Sequence, residues 1–104
     1  MNNLVRIDID QRVATLTLNH PPVNALTQML LTALETALTT VLRDATIRAL
    51  VITGAGEKAF VAGADIKAFD AQVNGGAAGL QAMRAYLAQG QALFSTIERA
   101  PVPV

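Results

Sequence analysis

The chain has 104 residues and a mass of 10.9 kDa, enough for one small domain and too little for two. Eight basic and eight acidic side chains give a formal net charge of zero. Neither a nucleic-acid partner nor an anionic membrane surface is therefore expected, because both call for a basic excess. The absence of cysteine excludes disulfides, zinc–thiolate sites and cysteine nucleophiles, and no metal site is predicted.

The composition is unusually apolar for so short a chain. Hydrophobic residues make up 52% and charged residues 15%, against about 25% charged in an ordinary soluble domain. The longest uncharged run, Val13–Leu34, contains prolines and asparagines and does not suit a membrane helix. The first ten residues have no apolar signal core, and a cytoplasmic location is expected. The pattern predicts a soluble chain that covers its surface with a partner or with further protein.

The N-terminal residues predict an antiparallel hairpin. Apolar and charged residues alternate over Leu4–Ile9, and β-branched and apolar residues alternate over Val13–Leu18. Gln11 and Arg12 form the turn, although it lacks the preferred Asn-Gly pair. The adjacent prolines of Asn19–Asn24 then predict a stiff loop.

Two helices and a buried strand are predicted in the rest of the chain. Apolar residues recur at helical spacing over Thr27–Arg43, and again over Leu80–Ile97 with Gly90 as a weak point. The apolar run Ala49–Thr53 predicts a strand covered on both faces, and Val73–Gly79 predicts a mobile loop. The last residues, from Pro101, suggest the entry to another strand. This order is an α/β pattern with at least one crossover.

A glycine-rich turn follows the buried strand and admits a nucleotide-binding interpretation. Gly54, Gly56 and Ala59 have the spacing G-x-G-x-x-A of a dinucleotide-binding fingerprint. That fingerprint requires a helix to open at its second glycine, whereas a second turn, Ala62–Ala64, follows too soon. An NAD-type domain is kept as an alternative, beside the plain interpretation that the glycines end a strand.

The segment Ala59–Phe69 consists largely of small and apolar residues. Small side chains let a ligand approach the main-chain N–H and C=O groups closely. An exposed amide here could stabilise negative charge on an oxygen, with Asp65 as a helix N-cap. The spacing alone favours a plain capped turn. His20 has no partner arranged for catalysis, and the carboxylates Glu57, Asp65 and Asp70 lie among lysines, which fits a solvated surface.

Three blocks in register resemble the crotonase superfamily, the enoyl-CoA hydratases and isomerases. They are Leu18–Leu26, Ala49–Gly54 and, most specifically, Ala59–Lys67. The likeness runs from about Val5 to the last residue, and Pro101–Val104 resembles the start of the family's next strand.

The resemblance implies a fold and a ligand. The expected fold is the N-terminal part of a spiral of ββα units, with residues 1–104 an incomplete domain that assembles into trimers or hexamers when complete. The expected ligand is an acyl-CoA thioester, with coenzyme A as part of the substrate and no separate cofactor, in a lyase of fatty acid metabolism. The backbone amide of Ala64 would form half of an oxyanion hole, and the residues expected to meet the CoA ester are Pro22, Val23, Ala62, Gly63, Ala64, Asp65 and Ile66.

The resemblance also implies a departure. In the family, the second oxyanion amide and the two glutamates that activate and protonate during hydration follow the strand that begins here at Pro101. These 104 residues are therefore expected to be inactive alone and to form an N-terminal piece of a longer enzyme. A catalytically inactive fragment that binds CoA or a partner is the second hypothesis, and the NAD-type domain is the third. Acyl-chain length, and hydratase against isomerase activity, stay open.

Overall fold

The computed structural model describes residues 4–21, 23–64 and 74–104 of the chain. In chain order the elements are β1 (Val5–Asp10), β2 (Val13–Leu18), β3 (Ala25–Leu26), α1 (Gln28–Leu42), β4 (Ala49–Gly54), β5 (Gly63–Ala64) and α2 (Gly76–Glu98). The α/β class is confirmed, and the crossover is the connection through α1 that joins the parallel strands β2 and β4.

The predicted hairpin is present and closes with a tight turn. Strands β1 and β2 pair antiparallel, with Asp10 opposite Val13. Gln11 and Arg12 have φ values of 50° and 68°, so both occupy the left-handed region that a type I′ turn requires. Two non-glycine residues therefore make the turn that Asn-Gly would make more easily.

Helix α1 covers one face of the sheet. Thr27 caps it, because its Oγ1 accepts a hydrogen bond of 3.1 Å from the Leu30 amide. Strand pairing puts alternate apolar residues of β2 and β4 on the same face. The core that this face forms with α1 contains Ala14, Leu16, Leu18, Leu30, Leu31, Leu34, Ala37, Leu38, Val41 and Leu50, each at most 5% exposed. Burying a leucine this completely stabilises the fold by about 1.5–3 kcal/mol.

Strand β4 is covered on one face only by the described residues. Leu50 is 2% exposed, whereas Val51, on the opposite face, is 46% exposed. Within residues 4–21, 23–64 and 74–104, the prediction of two covered faces is therefore wrong, since α1 lies on one side of the sheet. The C-terminal residues do not form the predicted strand. They nevertheless reach β4, where the Leu50 amide donates to the Pro103 carbonyl oxygen at 2.9 Å.

Helix α2 begins earlier than the sequence predicts. It starts at Gly76, inside the stretch predicted to be a mobile loop, because the alanines at 77 and 78 favour helix. Val73, the first residue of that stretch, lies outside the described residues, and residues 74 and 75 form a turn before the helix. The helix also continues through Gly90 without a break and packs on α1, with Tyr86 and Leu93 buried. Neither described helix is long and apolar enough to cross a membrane.

Candidate functional site

Two hydrogen bonds between His20 and Asn24 shape the loop before β3. The His20 amide donates to Asn24 Oδ1 at 2.8 Å, and the Asn24 amide donates to the His20 carbonyl oxygen, also at 2.8 Å. The imidazole Nδ1 lies 3.2 Å from the Ala25 carbonyl oxygen. Asn24 has a φ of 58°, which asparagine adopts more readily than most residues. His20 thus helps to hold the loop through its backbone amide and carbonyl groups.

The side chain of Asn24 ties this loop to the segment that follows β4. The residue is 1% exposed, and Nδ2 donates to the carbonyl oxygens of Ala59 and Phe60 at 3.1 Å each. It also donates to the Ala55 carbonyl oxygen at 3.3 Å. Three acceptors for two protons mean that one proton is shared. The Ala62 amide completes the link by donating to the Asn24 carbonyl oxygen at 3.4 Å.

Immediately after these contacts, β3 and β5 pair in parallel. Ala25 lies opposite Gly63, and Leu26 lies opposite Ala64. Gly63 has a φ of 100°, a conformation that side chains rarely permit. The short strand pair therefore brings the residues that follow Val23 against the predicted ligand-binding backbone.

The described site residues converge on this strand pair. Val23 is half-buried in the turn before Asn24, Ala62 is exposed and Gly63 is half-buried. The backbone of Ala64 lies in β5. The remaining predicted site residues, Pro22, Asp65 and Ile66, lie outside the described residues.

An apolar cavity opens beside β3. Its volume is about 170 Å³, and its lining is Leu26, Leu31, Tyr86, Leu87, Gly90, Gln91 and Phe94. The Tyr86 hydroxyl donates a hydrogen bond to the Leu26 carbonyl oxygen and so fixes α2 against β3. Because Leu26 also pairs with Ala64, the cavity lies next to the residue opposite the predicted oxyanion amide. The arrangement suits an apolar ligand whose polar end meets backbone groups.

The charged side chains of the turn after β4 are solvated. Glu57 and Lys58 are both exposed, as expected of a solvated surface. Among the described residues, no three His, Asp or Glu side chains lie close enough together to hold a metal ion. The polar groups that the described residues bring together beside the apolar cavity are main-chain groups, the Asn24 side-chain amide and the Tyr86 hydroxyl.

The nucleotide-binding interpretation of Gly54 and Gly56 is wrong. A dinucleotide fingerprint needs a helix whose first amides meet the pyrophosphate. Here residues 55–62 form bends and irregular backbone, and the chain then enters β5. The side-chain amide of Asn24 donates hydrogen bonds to three carbonyl oxygens of this turn.

Two residues of the site could not be singled out from the sequence. In the sequence, Asn24 ends a proline loop and is one position of the Leu18–Leu26 block, with no role of its own. An asparagine before a short apolar pair is a signal for left-handed backbone. Tyr86 appeared only as one position of an amphipathic helix. Their contacts join residues 31 to 60 positions apart, which local spacing does not reveal.

Comparison with known proteins gives a consistent result. Residues 8–104 match the family model described as Enoyl-CoA hydratase/isomerase. The chain is 38% identical over 102 residues to a Bacillus subtilis protein named "Probable enoyl-CoA hydratase". It is 37% identical over 101 residues to a crotonyl-CoA hydratase of Syntrophomonas wolfei. These alignments cover 98% and 94% of this chain but only 37% and 36% of the relatives.

Solved structures show the same relation. The crystal structure of an enoyl-CoA hydratase from Mycobacterium smegmatis superposes with a TM-score of 0.84 at 35% identity, over 99% of this chain and 38% of that chain. The fold is therefore that of the N-terminal part of these proteins, as the resemblance implied. The chain spans a little over a third of the length of the relatives that it matches.

Proposed function

This chain belongs to the enoyl-CoA hydratase/isomerase family, and we propose that the protein carrying it binds acyl-CoA thioesters and stabilises an enolate-like oxygen through backbone amides. The donor proposed within this chain is the amide of Ala64. The chemical class of the substrate is supported by the relatives, whose names describe enoyl-CoA and crotonyl-CoA hydratases.

A backbone amide suits this chemistry for a physical reason. The thioester oxygen gains negative charge only as the reaction proceeds, so a fixed N–H donor favours the transition state over the bound substrate. The donor is part of the main chain, and alanine is acceptable at position 64. Loss of one such donor costs about 2.7–4 kcal/mol of transition-state stabilisation.

The observation that carries the proposal is the position of Leu26. It pairs with Ala64 in the β3–β5 strand pair, and its side of β3 borders the apolar cavity of about 170 Å³. An acyl chain in this cavity would have its thioester end near the β5 backbone. For the CoA part of the ligand, we propose contacts with the residues that the resemblance implied, namely Pro22, Val23, Ala62, Gly63, Asp65 and Ile66.

We also propose that the protein works as a homo-oligomer, a trimer or a hexamer. Support comes from large apolar side chains outside the proposed acyl cavity that the described residues leave at least 46% exposed: Ile9, Met29, Val51 and Leu80. Such surfaces are more typical of interfaces than of free monomers. Further protein attached to this chain would cover them equally well, so the mass in solution of the protein that carries the chain tests this point.

Hydration of a trans-2-enoyl-CoA by the protein that carries this chain tests the proposal directly. Consumption of the enoyl-CoA with formation of the 3-hydroxyacyl-CoA, in which the thioester is intact, supports a hydratase. A shift of the double bond without hydration supports an isomerase. Binding of the CoA ester with neither product supports the second hypothesis, an inactive CoA-binding protein. If neither free CoA nor an acyl-CoA binds, the proposed function is wrong.

A further inference from the structure

We infer that Asn24 is a positioning residue, whose side-chain amide sets where the β5 backbone stands relative to the apolar cavity. The catalytic consequence rests on the function proposed above, whereas the structural consequence does not. Neither the family match nor the names of the relatives assign a role to this residue.

The contacts of Asn24 enclose the segment that leads into β5. Its Nδ2 donates hydrogen bonds to the carbonyl oxygens at positions 55, 59 and 60. Its backbone carbonyl oxygen accepts a hydrogen bond from the Ala62 amide. The next residue, Ala25, already pairs with Gly63. One residue thus holds the start and the end of the turn and the entry to the strand. We therefore expect a shift of its side chain to displace the Ala64 backbone.

The geometry is selective for asparagine. The φ of 58° favours Gly, Asn or Asp. Among these, only asparagine has an NH₂ group that can donate to several carbonyl oxygens. Gly54 provides the space, since a Cβ there would come within 2.8 Å of Asn24 Nδ2 and of Phe60 Cα. The side chain is also almost completely buried, so water does not replace a lost partner at low cost.

A catalytic effect follows from the short path between Asn24 and the proposed oxyanion donor. An error of about 1 Å in the placement of a reacting group can cost about 10²-fold in rate, even when the altered residue does not touch the substrate. Weakening the Asn24 contacts should therefore lower kcat. It should change KM less, because the oxygen carries its full charge only in the transition state.

The test compares Asn24→Asp with Asn19→Asp in the protein that carries this chain. Asn24→Asp keeps the size, the tolerance of positive φ and the Oδ1 acceptor. It replaces Nδ2, which donates to three carbonyl oxygens, by an oxygen atom. Asn19 lies in the same loop, and its described hydrogen bond comes from its backbone amide, which donates to the Leu4 carbonyl oxygen. Its substitution makes the same chemical change, from an amide to a carboxyl group, without removing the contacts of Asn24. Asn24→Gly, which also tolerates the positive φ, replaces Asn24→Asp if the latter does not fold.

Two readouts decide the outcome: the backbone amide NMR signals of Ala62 to Ala64, and kcat against KM for a trans-2-enoyl-CoA. The inference predicts that the amide signals shift in the folded Asn24 variant and not in Asn19→Asp. It also predicts that kcat falls by about 10²-fold with KM little changed. Lower stability with unmoved amide signals, or an unchanged kcat, would overturn the inference.

The parent protein provides a test that needs no variant. The Asn24 side-chain amide protons should exchange with solvent far more slowly than those of the other asparagines, because they are buried and bonded. Rapid exchange would contradict the inference even if no Asn24 variant folds. If the parent protein neither hydrates nor binds enoyl-CoA, the proposed function fails. The amide signals and the exchange rates then decide the structural role of Asn24 by themselves.

Discussion

Gly54→Ala should destabilise the protein severely, although it adds a single methyl group. Gly54 is the last residue of β4, and the turn that Asn24 contacts follows it. A Cβ built there lies 2.4 Å from the Phe60 carbonyl oxygen and 2.8 Å from both Phe60 Cα and Asn24 Nδ2. Two of these neighbours are backbone atoms, so they cannot rotate away as the end of a side chain would.

The magnitude follows from the displacement required. To reach ordinary contact at 3.4 Å, the Phe60 carbonyl oxygen must retreat by about 1 Å. Overpacking of this kind costs about 1–3 kcal/mol. The same oxygen accepts from Asn24 Nδ2 at 3.1 Å, and weakening a buried hydrogen bond adds about 1–3 kcal/mol. We therefore expect a loss of about 3 kcal/mol in the free energy of unfolding.

Urea unfolding followed by circular dichroism measures this loss, with Gly90→Ala as the matched control. With an m value of about 1–3 kcal/mol per molar, the Gly54→Ala midpoint should fall by about 1–3 M. At Gly90 the nearest atom to an added Cβ is Leu31 Cδ1 at 4.0 Å. Because the residue lies inside α2, Gly90→Ala should stabilise by about 0.8–1.0 kcal/mol. Two variants that move the midpoint equally, or a Gly54→Ala midpoint like that of the parent, would refute the reasoning.

Three further predictions concern other parts of the chain. Thr27→Ala should cost about 1 kcal/mol of stability by removing the cap on the Leu30 amide, whereas Thr27→Ser should retain most of it; equal losses in urea unfolding would contradict this. The Thr46 hydroxyl, and secondly its amide, hold the pKa of Asp44 below its ordinary value of 3.8. The stability this confers is present above pH 3.8 and is lost as the pH falls through the lower folded-state pKa. Thr46→Val should therefore raise the pKa in a carboxyl NMR titration, and an unmoved pKa would refute the assignment. Gly90→Leu should fill part of the cavity of about 170 Å³ and raise KM for long acyl chains more than for short ones. An equal change of KM for long and short chains would argue against acyl binding in this cavity.

The elements with a clear local period could be predicted from the sequence. The alternation before Asp10 and the helical spacing after Thr27 depend on contacts between near neighbours, and both elements form as expected. The family, too, could be predicted, because the three motif blocks keep their order and spacing along the chain. Composition was less reliable, since glycines and alanines near position 76 suggested a loop where α2 begins.

The parts that could not be predicted depend on contacts between distant residues. Strands of two residues, such as Ala25–Leu26, are too short to show any period. The role of Asn24 depends on carbonyl groups 31 to 36 positions away. The exposure of Val51 could not be predicted, because an apolar run does not show which face of the strand the other elements cover.

The measurement that tests the central claim most directly is the kcat of Ala64→Pro for a trans-2-enoyl-CoA, in the protein that carries this chain. Proline removes the backbone N–H that we propose as the oxyanion donor, and Ala64→Gly, which keeps it, is the control. Circular dichroism and the mass in solution establish that each variant is folded and assembled like the parent. We predict a fall in kcat of about 10²–10³-fold for Ala64→Pro, with KM little changed, and a modest fall for Ala64→Gly. A folded Ala64→Pro protein that turns over as fast as the parent would contradict the claim that this amide stabilises the oxyanion.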